Sequence, residues 1–75
     1  MKTNIIALKQ AMVAKNLEKV TDLSDASGIS RNTLSSILNG KSQPSSNTMY
    51  ALVNVLELTP DSAGVIFFGN DLREM

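Results

Sequence analysis

The stretch Gly28-Ile29-Ser30-Arg31-Asn32-Thr33-Leu34-Ser35-Ser36-Ile37-Leu38-Asn39-Gly40-Lys41 decides how this chain folds. It reads as a turn, a short helix and a second turn. Ser30 is the expected N-cap, because its hydroxyl accepts from a backbone N–H of the first turn that has no partner within the helix. Gly40 is the expected stop, since glycine takes the left-handed conformation beyond a helix end without a Cβ penalty. Between them Leu34, Ile37 and Leu38 recur at i, i+3 and i+4 and make one apolar stripe. Asn32, Ser35, Ser36 and Asn39 fall on the other side, with Arg31 at the front. Such a helix anchors itself through aliphatic groups and offers small, uncharged hydrogen-bonding groups outward.

Upstream, residues 4 to 16 predict a first helix, capped by Thr3 or Asn4 and ended by Asn16. Ile5, Leu8 and Met12 mark its inner face, and Ile6 and Val13 are expected to widen it. Lys9 and Lys15 lie off that stripe. Residues 19 to 27 predict a second helix, with Leu17, Val20, Leu23 and Ala26 turned to the core. Gly28 supplies the tight turn into the third helix. Downstream, Pro44 and Ser45 introduce a fourth helix over about 46 to 57, with Met49, Leu52, Val53 and Leu56 as its buried stripe. Tyr50 lies beside that stripe, as a half-buried spacer. Thr59-Pro60-Asp61 starts a fifth helix: a cap, then proline at the first helical position, then an acid. It runs to about residue 67.

Val65, Ile66, Phe67 and Phe68 are four consecutive apolar residues. Successive helical side chains point about 100° apart, so one helix does not bury all four against its own domain. Two are expected in the core. The others are covered by the tail or form a dimer or partner surface. Residues 1–69 therefore read as one all-α domain of five helices, and 70–75 as a flexible polar tail.

The bulk composition removes several function classes. With no cysteine and no histidine, disulfides, the usual zinc sets and imidazole catalysis are excluded. No apolar run is long enough for a membrane span, and no charged-then-apolar leader opens the chain. A cytoplasmic protein without metal, cofactor or small-molecule substrate is expected. Asp22 and Asp25 stand three apart on a helix, but no second acidic cluster accompanies them, so they read as surface and the chain as a non-enzyme.

The segment Gly-Ile-Ser-Arg-Asn-Thr-Leu-Ser, followed by Ile37, Asn39-Gly40-Lys41 and Pro44-Ser45, resembles the second half of the Cro/C1-type (XRE) helix-turn-helix family. The resemblance covers roughly residues 5 to 63, and 28 to 45 is its specific part. It implies a compact lambda-repressor-like domain whose third helix enters the DNA major groove. It further implies base or phosphate contacts from Arg31, Asn32, Ser36 and Asn39, and backbone contacts from Lys41, Ser42 and Gln43. Thr33 and Ser35 border that set, and Thr33 also suits support of the helix start. Many members place a glutamine at the start of the second helix for a phosphate contact; Val20, Thr21 and Asp22 stand here instead. An apolar residue is usual in the family where Ser46 stands.

Charge divides the functional expectation. Seven basic and seven acidic residues cancel, whereas phosphate neutralisation favours a basic surplus in DNA-binding domains. One reading is a sequence-specific DNA-binding regulator of a phage-type genetic switch, which reaches a double-stranded operator as a homodimer. The other is an antirepressor or modulator that meets a larger phage repressor through the helix-turn-helix surface and alters its operator binding. Both resemble the small switch proteins of temperate phages, and both stay open at this point.

Overall fold

The computed structural model describes residues 3–68. Five helices follow one another: α1 (Ile5–Ala14), α2 (Val20–Ser27), α3 (Arg31–Leu38), α4 (Ser46–Leu56) and α5 (Pro60–Phe68). No strand occurs among the described residues. The tail expected over 70–75, and Gly69 before it, lie outside them.

Each start and stop has a local cause. Asn4 caps α1, its side chain accepting from the Ala7 N–H at 3.0 Å. Asn16, with φ 59°, takes the left-handed conformation that ends the turn, and the Leu17 N–H returns to the Met12 carbonyl at 2.8 Å. The helix therefore stops at Ala14, two residues short of the expected end. Ser45 accepts from the Thr48 N–H at 3.3 Å to start α4, and Glu57 ends it at φ 51°. Thr59 caps α5 by accepting from the Ser62 N–H at 3.1 Å.

The core is built from one stripe of each helix. Leu8 and Met12 of α1 meet Leu23 of α2 and Leu34 and Ile37 of α3. Leu52 and Leu56 of α4 and Ile66 and Phe67 of α5 close it. All nine are at most 2% exposed. Leu17, Val20, Leu38, Met49 and Val53 pack against this centre while partly accessible.

Three expectations about the core are corrected. Ile6 and Val13 are 72% and 54% exposed, because α1 buries only the side centred on Leu8 and Met12 and the other two project away from it. Ala26 is exposed for the same reason on α2, where Leu23 alone is fully buried. Tyr50, expected to be half-buried, is 69% exposed. Of the four apolar residues at the end of α5, Ile66 and Phe67 enter the core, and Val65 and Phe68 are partly covered. Two in the core was the expectation; an exposed patch of all four does not form.

Candidate nucleic-acid interface

The α2–turn–α3 unit is held by backbone geometry and short polar side chains. Gly28 sits at φ 77° and donates its N–H to the Ser24 carbonyl at 2.8 Å. A Cβ there meets no neighbour, so the demand for glycine is purely conformational. The Ser24 hydroxyl donates to the Ile29 carbonyl, and the Ile29 N–H donates to Ser27 Oγ at 3.2 Å. These two serines lock the turn. Sequence reasoning missed them, since nothing in their spacing separates turn-bracing serines from surface serines.

At the front of α3, Ser30 Oγ accepts from the Thr33 N–H at 3.2 Å and donates to Thr33 Oγ1 at 2.8 Å. Thr33 is thus engaged in the cap, as one of its two expected roles requires. At the rear, the Gly40 N–H donates to Ile37 at 3.1 Å and the Lys41 N–H to Ser36 at 2.8 Å. That pair of bonds, with Gly40 at φ 75°, is a complete Schellman ending. Ser42 adds a bond to the Ser36 carbonyl at 3.3 Å. The backbone at Lys41 and Ser42 is therefore tied to the helix rather than to a free loop.

Leu34 and Ile37, each 1% exposed, anchor α3 inward. Arg31, Asn32, Thr33 and Asn39 are exposed, Ser35 and Ser36 are half-buried, and Lys41, Ser42 and Gln43 are exposed beyond the helix. Ser24, Ser30, Arg31 and Asn32 line a shallow polar recess where α2 turns into α3. The residues singled out on α3 thus share its accessible side. Gln43 differs from the rest: its Oε1 already accepts from the Thr3 N–H at 3.0 Å and the Thr3 hydroxyl at 2.8 Å. Only its amide nitrogen has no bond to another described residue.

The charges around this unit are few. Lys19 precedes α2 without a side-chain capping bond, and Asp22 lies in its first turn. Glu18, Asp22 and Asp25 are exposed. Among the described residues the one ion pair is Lys15–Glu57, 3.1 Å apart, so neither the acids of α2 nor Arg31 and Lys41 are neutralised within the fold.

No group of three or more potential metal-binding side chains occurs among the described residues, and no helix there is long and apolar enough to cross a membrane. No curated protein and no solved structure matches the chain. A family model described as "Helix-turn-helix" matches residues 8–62, which span the caps, the turn, α3 and the start of α5. With its five helices, its Gly28 turn and its inwardly anchored α3, the chain belongs to that helix-turn-helix family of DNA-binding transcription regulators.

Proposed function

We propose that the protein is a sequence-specific regulator of a phage-type genetic switch, acting in the cytoplasm on a double-stranded operator with α3 in the major groove. One observation carries this reading. The accessible side of α3 consists of Arg31, Asn32, Ser35, Ser36 and Asn39 on a helix fixed by caps at both ends. Amide and hydroxyl groups there match the donor and acceptor pattern of base edges, and a guanidinium suits guanine or phosphate. Lys41 and Ser42, tied to the helix end, take the phosphate-contacting role, with the Gln43 amide nitrogen beside them. Selection from a random duplex library with the purified chain tests it. Enrichment of one motif supports the reading, and loss of that enrichment in Arg31→Ala ties it to α3.

A second reading has its own support. Glu18, Asp22 and Asp25 stand exposed on the approach to α3, and the chain is neutral overall. Three acids repel a phosphate backbone but complement a basic DNA-reading surface on another repressor. In that case the protein is an antirepressor or modulator that covers such a surface and changes operator binding. No enriched motif from the chain alone, with a stable complex on a phage repressor's DNA-binding domain, selects this reading over the first.

A further inference from the structure

The outer side of α1 and its groove against α5 take no part in either reading. Ile6 and Val13 lie two turns apart on one side of α1 and are the most exposed large aliphatic residues described. Beside them Ala7, Gln10 and Ala11 form one wall of a groove whose other wall is Leu58, Asp61, Ser62 and Val65. Lys9 borders the apolar strip of Ile6 and Val13 on the side away from the groove.

The two walls run antiparallel, because the Asn4 N–H donates to the Ile66 carbonyl at 2.6 Å at the start of α1 and the end of α5. Counting from that bond at about 1.5 Å per residue, Ile6 lies level with Val65, Lys9 with Asp61 and Val13 with Leu58. The face is therefore apolar, charged and apolar along both edges, with a cation on one edge and an anion on the other at the same height. Lys9 and Asp61 have no ion-pair partner among the described residues.

From this we propose that a second copy of the chain docks here. A two-fold axis parallel to α1 and running along the groove exchanges the two edges. It sets Ile6 against the partner's Val65, Val13 against the partner's Leu58 and Lys9 against the partner's Asp61, each contact made twice. Gln10 lies near the axis and meets its own mate, which puts neutral amides where like charges would repel. A net charge of zero removes long-range repulsion between copies. This dimer stands or falls independently of whether α3 binds DNA or a repressor, since α3 contributes no residue to it.

Sedimentation velocity on the full chain, over micromolar to submillimolar concentration, tests the proposal. The expected result is a concentration-dependent dimer. Lys9→Asp and Asp61→Lys each weaken it by about tenfold, as the loss of two rim pairs implies. The double variant Lys9→Asp/Asp61→Lys restores it, and helical circular dichroism shows all three variants folded. A chain that stays monomeric throughout overturns the proposal. So does a dimer that the single swaps leave unchanged, or one that the double swap fails to restore.

Discussion

Thr3 and Gln43, forty positions apart in the chain, share one acceptor: Gln43 Oε1 takes both the backbone N–H and the hydroxyl of Thr3. Thr3 is the one buried polar residue described, at 9% exposure, so this carbonyl satisfies both of its donors away from water. The bond fastens the approach to α1 onto the loop that follows α3. Any load on that loop is therefore shared with the α1–α5 side of the molecule.

Replacing Gln43 with Ala leaves both Thr3 donors unpaired. A loss of about 1–3 kcal/mol is expected in urea unfolding, the usual cost of an unsatisfied buried group. Gln43→Glu keeps an acceptor at the same reach and retains most of that stability. Faster hydrogen exchange at the Thr3 amide in Gln43→Ala would locate the effect at this bond.

Gly28→Ala asks an L-residue to hold φ 77°. Since no atom crowds the added methyl, the full effect is backbone strain of about 1–2 kcal/mol. Gly28→Asn loses less, because asparagine visits this region more readily. Thermal melts of the three proteins give the order Gly, Asn, Ala.

Leu34→Ala and Ser36→Ala separate the two sides of α3. The first opens a cavity in the core and costs about 2–5 kcal/mol, a large share of the stability of so small a domain. The second changes stability by less than about 0.5 kcal/mol, because the Ser36 hydroxyl makes no hydrogen bond to another described residue. Equal costs in denaturant titrations would contradict the inward anchoring of the helix.

Arg31→Ala and Lys41→Ala separate reading from bracing on the selected operator. If Arg31 contacts a base, its loss weakens binding by about 1–3 kcal/mol and relaxes preference at one position. Loss of a phosphate contact from Lys41 weakens binding to all sequences alike and lowers the salt slope by about 1. Fluorescence anisotropy at several salt concentrations measures both, and unchanged melting shows that the fold is intact.

Much of the architecture was legible locally. Ser30, Ser45 and Thr59 announced three helix starts, Gly28 and Gly40 two turns, and Leu34 and Ile37 the inner side of α3. Each acts through atoms within a few residues, so a spacing of three or four in the chain already carries the physics. The accessible side of α3 was legible for the same reason, as the complement of its apolar stripe.

What the chain order alone could not decide were the matters that depend on where helices meet. Ile6 and Val13 fit a widened inner face of α1 by composition, yet the packing of α2, α3 and α5 covers only one arc of that helix and leaves them in water. At the end of α5, periodicity required that some of four apolar residues stay out of the core; only the approach of α1 selected Ile66 and Phe67. Gln43 read as one more polar loop residue until the fold brought Thr3 to it. Local hydrogen bonds and helical period follow from neighbouring residues, and so the sequence determined the helices, their caps and the exposed side of α3. Burial and long-range pairing follow from which surfaces touch, and only the tertiary structure decided those.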